Sequence, residues 1–180
     1  MTRRRMLLIT VSATVLGVAA LVGFAGHNAI FADDDDDEGQ EAVIKRLSTS
    51  KINLQQGLAA SEQEGQPISA KFELDDGKFQ LSVYTSKDGK FSEVLVDYMD
   101  GKVIKAEPIT EGDDLAAAKS QSAAMAKAKT TLKEAVDKAV TQSANARVVS
   151  AVPSLKDGRP VVSIVLLDGE QFKTVQQPLD

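Results

Sequence analysis

The chain has 180 residues, a formal net charge of −5 and an isoelectric point near 5.0, so it has room for one ordinary domain or two small ones and lacks the basic surface that nucleic acid requires. It contains no cysteine and a single histidine, His27 in an apolar segment, which excludes thiolate zinc sites and leaves the folded part without Ser-His-Asp or Cys-His chemistry. A hydrolase built on carboxylates alone needs aromatic platforms, and the chain has no tryptophan and only two tyrosines. We therefore predict no enzyme, no metal, no cofactor and no nucleic-acid partner.

The first 32 residues have the layout of a secretory signal peptide. Three arginines at positions 3–5 precede an uncharged run over residues 6–26, and Ile30-Phe31-Ala32 is an acceptable cleavage site. The run is also long enough to span a bilayer, so an uncleaved membrane anchor is the alternative. The arginines hold the amino-terminal end in the cytoplasm in either case. We therefore predict that the remainder is extracytoplasmic, periplasmic or secreted, and meets a membrane only through residues 6–26 if the signal is not cleaved.

Residues 33–49 begin with five consecutive aspartates. As a calcium loop starting at Asp34, this tract offers alternate carboxylates and a glycine at position six, but Lys45 occupies the position of the closing glutamate. Blocks of like charge repel one another and usually stay solvated and disordered. We therefore interpret residues 33–49 as an acidic, flexible start of the mature chain. An acidic calcium-binding envelope protein is the alternative function.

The rest of the chain contains an imperfect internal repeat, residues 52–101 and 131–180. In both copies a short helical segment is followed by strand segments that are separated by Asp-Gly pairs. Asp-Gly favours the tight turns of β-hairpins, so neighbouring strands should be antiparallel. A helix laid on an antiparallel meander buries one apolar face, which predicts an α+β fold with two small modules. Between the copies, the alanine-rich residues 108–129 predict a helical linker.

Both repeat helices are predicted to start with a capping box. Asn53 is followed at the required spacing by Gln56, and Thr131 by Glu134. Gly57 lies inside the first helix, where it should cost about 1 kcal/mol relative to alanine unless close packing requires it. The linker helix should begin near Asp113 and Asp114, whose carboxylates complement the helix dipole.

One strand of the second copy is apolar on both faces. The outward set is Val161, Val165 and Leu167, whereas the matching face of the first copy is Gln80, Ser82 and Tyr84 and can meet water. A strand that is apolar on both sides must be covered on both. Either the linker helix or the other module covers this face, or it is an exposed patch that receives a partner.

The segment "KINLQQGLAASEQEG…ISAKFELDDGKFQLSVYTSKDGKFSEVLVDYMDGKVI" resembles the PepSY domain of secreted-peptidase propeptides. The positions that carry the resemblance are Leu54, Gly65, the strand Phe72–Leu74, Tyr84, Asp88-Gly89, and Asp97 with Gly101. The second copy is degenerate: it keeps Leu132, Asp157-Gly158 and Asp168-Gly169 but lacks the closing element.

This resemblance implies a non-catalytic, exported protein-binding module that inhibits or regulates a peptidase. It implies modules at residues 50–107 and 130–180, with an exported peptidase or another envelope protein as the partner. The candidate partner-binding residues are Tyr84, Asp97, Val161, Val165 and Leu167. For Asp97 and Gly101 the alternative is structural, with Asp97 ending a strand and Gly101 forming a turn.

Overall fold

The computed structural model describes residues 37–75, 77–143 and 145–180. The helices are α1 (Asp37–Thr49), α2 (Leu54–Ser61), α3 (Gly112–Met125) and α4 (Leu132–Gln142), and the strands are β1 (Gln66–Asp75), β2 (Lys78–Lys87), β3 (Lys90–Val96), β4 (Val103–Ile109), β5 (Arg147–Lys156), β6 (Arg159–Asp168) and β7 (Gln171–Pro178). The predicted signal or anchor and the first four aspartates lie outside the described residues. Among the residues that are described, no helix has the length and apolarity needed to cross a bilayer.

The seven strands form one antiparallel sheet in the order β4-β3-β2-β1-β5-β6-β7. Each pair of neighbours is antiparallel, and all except β1 and β5 are consecutive along the chain. The order of one helix and three strands occurs twice, as α2–β1–β2–β3 and α4–β5–β6–β7. The α+β prediction is confirmed at this level, and the two copies share a single sheet through β1 and β5.

The Asp-Gly turns join strands as predicted, with one shift of position. Asp88 and Gly89 have φ of 51° and 74°, and Asp157 and Gly158 have φ of 51° and 78°, the positive values that two-residue hairpins require. Asp168 instead ends β6 opposite Gln171. The third turn therefore begins at Gly169, with φ of 64°, because β6 continues one residue further than its counterpart.

Helices cover both faces of the sheet. The helices α2 and α4 contact one another and pack on β1, β2, β5 and β6, over the face that carries Phe72, Leu81 and Ile164. Both predicted capping boxes are present at their amino-terminal ends. The linker helix α3 packs mainly on β5, with further contacts to β1, β2 and β6, and its Gln121 accepts a hydrogen bond from Ser69 on the opposite face. It ends at Met125, separately from α4.

The expectation of a flexible segment over residues 33–49 was wrong for residues 37–49, which form α1. Val43 and Leu47 lie four residues apart on one side of this helix and are 6% and 0% exposed. The Arg147 guanidinium donates hydrogen bonds to the carbonyls of Leu47 and Ile52, close to the end of the helix. A cation is favourable at a helix carboxyl terminus, so buried apolar contacts and Arg147 offset the acidic start.

Close packing accounts for the glycine in α2. A Cβ added at Gly57 would lie 2.2 Å from Cδ2 and 3.1 Å from Cγ of Leu81, which is fully buried. We expect Gly57→Ala to lower the free energy of unfolding by about 1–2 kcal/mol, because overpacking outweighs the gain in helix propensity. Urea unfolding followed by circular dichroism measures the change.

Leu81→Ala is the matched partner variant for this test. The substitution removes the atoms that the new methyl group meets, so its cost should be smaller in the Gly57→Ala background than in the wild type. Additive effects of the two substitutions, or a stabilising Gly57→Ala, would contradict the packing explanation.

Arg147 links the start of β5 to the α1–α2 connection, and partial burial lowers the pKa of its guanidinium. We expect Arg147→Met to lower the free energy of unfolding by about 2–3 kcal/mol, since several carbonyls lose a charged donor. The control is Arg159→Met, an exposed arginine without an ion pair to another described residue, which should change stability by about 0.5 kcal/mol or less. Equal effects in thermal and urea unfolding would argue against a linking role for Arg147.

Candidate protein-binding surface

The face of β2 that contains Tyr84 is more covered than the alternation of its sequence predicted. Ser82 is 1% exposed and donates a hydrogen bond to Glu93 on β3. The Tyr84 hydroxyl, on a half-buried side chain, donates to Asp114 Oδ1 at 2.8 Å. Since Asp114 lies in the first turn of α3, Tyr84 fastens that helix to the sheet. The expectation that this face meets water is therefore wrong for Ser82 and only partly right for Tyr84.

The surroundings of Tyr84 are acidic. Burial raises the pKa of Glu93 above its ordinary value, and the nearby carboxylates of Glu73 and Asp114 raise it further, against the opposing hydrogen bond from Ser82. Burial and the hydrogen bond to Asp114 likewise raise the pKa of Tyr84. Lys71 supplies a nearby positive charge through its ion pair with Glu73. The arrangement holds protons and positions α3.

Asp97 and Gly101 together form the turn between β3 and β4. Asp97 Oδ1 accepts hydrogen bonds from the amides of Met99 at 2.6 Å and Asp100 at 3.2 Å. The Gly101 amide donates to the Asp97 carbonyl at 2.8 Å, and Gly101 has a φ of 76°. These contacts are the structural alternative stated for both residues, and they occupy the Asp97 carboxylate within the chain.

The outward set on β6 is divided between buried and accessible positions. Val165 and Leu167 are 9% and 7% exposed and belong to the same core cluster as Ala118 and Met125 of α3. The linker helix thus contributes to their cover, as one of the two alternatives anticipated. Val161 is half-exposed and lies opposite Pro178 near the end of the sheet. It is the member of the set that a partner can reach.

Val161 lies in a surface cleft of about 570 Å³ at the tip of the β5–β6 hairpin. We call this the tip cleft; it is lined by Lys156, Asp157, Arg159, Pro160, Val161, Pro178 and Asp180. The backbone around it is fixed, because the Leu179 amide donates to the Pro160 carbonyl at 3.0 Å. The Leu179 carbonyl in turn accepts from the amides of Lys129 and Thr130. The cleft is therefore a preformed feature of the fold.

The tip cleft combines an apolar floor with charges that are available to a ligand. Pro160, Val161 and Pro178 supply the apolar surface. Lys156 and Arg159 are exposed and opposite one another in register, and within the described residues neither forms an ion pair. Lys156 makes one long hydrogen bond, 3.5 Å, to Gln176. Such a surface can bind a polypeptide segment through apolar contact and a carboxylate.

The sequence interpretation identified Val161 but missed the basic residues beside it. Lys156 and Arg159 flank an Asp-Gly turn, where charged residues are ordinary, so their type carries no signal. The cleft exists because residues 178–180 fold back against Pro160 and the loop after α3, a long-range contact without a local pattern.

No family model, curated protein or solved structure matches the chain. The resemblance to PepSY domains therefore rests on the residues quoted for it, and the site is interpreted from its own geometry. Within the described residues no three metal-binding side chains come together.

The raised pKa of Glu93 predicts a pH-dependent effect on stability. Because the folded state binds this proton more tightly than the unfolded chain, rising pH deprotonates the unfolded chain first and stability falls until Glu93 is ionised in the fold as well. The Glu93→Gln variant does not titrate at this position and its amide oxygen can still accept from Ser82. We expect it to gain stability relative to the wild type as pH rises from about 4, measured by urea unfolding between pH 4 and pH 8.

The control for this prediction is Glu107→Gln. Glu107 lies opposite Glu93 on β4 but is exposed and paired with Lys105 at 2.7 Å. Its substitution should leave the pH profile close to that of the wild type. If the Glu93→Gln profile ran parallel to that of the wild type, the burial of this carboxylate would not control the pH dependence.

Proposed function

We propose that this chain is a non-catalytic, exported PepSY-type protein that binds an extracytoplasmic peptidase and regulates it. In this proposal two fused modules, residues 50–107 and 130–180, act in the periplasm or outside the cell after export by the amino-terminal signal. The observation that carries the proposal is the tip cleft, a preformed site with an apolar floor and two cations that lack an ion-pair partner among the described residues.

The composition of the tip cleft favours a polypeptide over a small metabolite. The site is open at the end of the sheet and joins Val161 and Pro178 to charges of both signs. An extended segment with one apolar and one acidic side chain satisfies both parts, since the apolar group contacts the floor and the carboxylate pairs with Arg159. Surface loops of an exported peptidase are segments of this kind.

The alternative of an acidic calcium-binding protein has weaker support. Asp114, one of the carboxylates on which it relied, accepts the hydrogen bond of Tyr84. Apart from Asp37, the aspartate tract lies outside the described residues. The proposal of a protein-binding module is therefore the stronger one.

Inhibition of exported peptidases tests the proposed function. Purified residues 33–180 are titrated against purified exported peptidases from the same cell, and hydrolysis of a peptide substrate is measured. We expect loss of peptidase activity that saturates at a one-to-one ratio. Arg159→Glu should weaken this effect about tenfold or more, because it opposes like charges at the contact.

Lys138→Glu is the matched control, since Lys138 is an exposed lysine on α4 that does not line the tip cleft. It should inhibit as the wild type does. If the wild-type chain neither binds nor inhibits any exported peptidase at micromolar concentration, the proposed function is wrong. Equal weakening by Arg159→Glu and Lys138→Glu would show that net charge, rather than the tip cleft, drives binding.

A further inference from the structure

The sheet ends in two edge strands, β4 on one side and β7 on the other. An edge strand presents unpaired backbone N–H and C=O groups, which natural proteins usually block with bulges, prolines or charges. The two edges of this sheet differ in how they are blocked.

The outer edge of β4 carries three such features. The register against β3 shifts between Leu95 and Val96, so that Ile104 is an extra residue on β4, as in a β-bulge. Lys105 adds a charge. Pro108 lacks an N–H, and because Glu107 and Ile109 pair with the inward-facing positions of β3, the missing donor belongs to the outer side. Another strand cannot pair continuously with this edge.

The outer edge of β7 lacks these features. Its register against β6 runs without a shift from Gln171 to Pro178, and the first proline is at its last residue. Asp168 and Gln171 close a two-residue hairpin, so the backbone groups of alternate residues, including Thr174 and Gln176, point away from β6. This edge can accept a continuous strand.

The internal repeat indicates what belongs beside β7. The hairpin pair Lys87–Lys90 at the start of β3 corresponds to Asp168–Gln171 at the start of β7, which aligns Val94 with Val175. In the first half β4 pairs with β3, and Val94 is fully buried. In the second half the described residues provide no strand beside β7, and Val175 is half-buried.

We propose that β7 receives an extended segment of the partner protein as an additional antiparallel strand, in the position that β4 occupies beside β3. This inference rests on the proposed function and specifies how the partner is bound. The added strand lies beside β7 as far as Pro178, which lines the tip cleft. Its end therefore reaches Arg159 and Val161, so we expect an acidic and an apolar side chain there.

Charge disfavours a second copy of this chain as the occupant. A two-fold pairing of β7 with itself that is centred on Lys173 opposes two lysines. A pairing centred on Thr174 aligns Asp168 with Asp180, and one centred on Val175 aligns Glu170 with Asp180. Like charges directly opposite one another are destabilising in a sheet, so the charges favour a different protein.

Amide hydrogen exchange with a defined probe tests strand addition directly. The probe is a synthetic peptide of residues 102–110, KVIKAEPIT, which reproduces β4, and a scrambled peptide of the same composition is the control. We expect the β4 peptide to slow exchange of the Thr174 and Gln176 amides in residues 33–180, and the scrambled peptide to leave them unchanged. If both amides exchange freely at millimolar β4 peptide, β7 is not a strand acceptor and the inference is wrong.

A pair of proline variants extends the test to binding affinity. Thr174→Pro removes an outward donor, as Pro108 does in β4, and should weaken binding of the fluorescently labelled β4 peptide about fivefold or more. Ala106→Pro makes the same change on the outer side of β4 and should leave binding unchanged. If Thr174→Pro fails to fold, the exchange measurement on the wild-type chain still decides the question.

Two further outcomes separate this inference from the proposed function. Peptidase inhibition with no protection of β7 in the complex would preserve the function and overturn strand addition. Protection of β7 by the β4 peptide without inhibition of any peptidase would preserve the acceptor strand and overturn the function. Protection of β7 that appears with a concentration-dependent dimer, measured by sedimentation, would assign the edge to a second copy and overturn the choice of partner.

Discussion

The pairing of β1 with β5 is the constraint on which the rest of the structure depends. Its ladder contains only two residue pairs, Ala70 with Ala151 and Lys71 with Ser150. The two alanines lie on the face that α2 and α4 cover, and their small side chains let these helices meet above the join. Arg147 at the start of β5 binds carbonyls of the α1–α2 connection. A short ladder is thus reinforced by contacts on one side of the sheet.

Joining the two halves edge to edge gives the sheet two faces that both need cover. The first face is apolar and buried under α2 and α4 in the usual way. The second face is polar near its centre, where Ser69 bonds to Gln121 of α3 at 2.8 Å, and apolar toward Val165. An alanine-rich helix suits this face because small side chains permit close approach, while Gln121 and Asp114 fix its position through specific hydrogen bonds. The linker between the repeats is consequently part of the core.

Local patterns predicted the local structure, and long-range contacts escaped them. Capping boxes and Asp-Gly turns depend on residues a few positions apart, so Asn53 and Asp157 announced a helix start and a hairpin correctly. The union of β1 with β5 depends on Ala70 and Ala151, two residues of a type found everywhere. The helix α1 was hidden by the adjacent aspartates, since Val43 and Leu47 gain their burial only from the assembled sheet. The tip cleft was missed for the same reason.

The difference between the two sheet edges follows from the incomplete repeat. The first copy continues past its third strand, turns at Asp97 and Gly101 and adds β4, whose outer side ends in a bulge and a proline. The second copy turns away at Pro178, and its third strand keeps backbone groups that a sheet edge normally protects. Continuous register along β7 and a fixed position for Pro178 make this edge rigid as well as open, which lowers the entropy cost of adding a strand. A repeat that stops one strand short thus creates a surface that an intact repeat would bury.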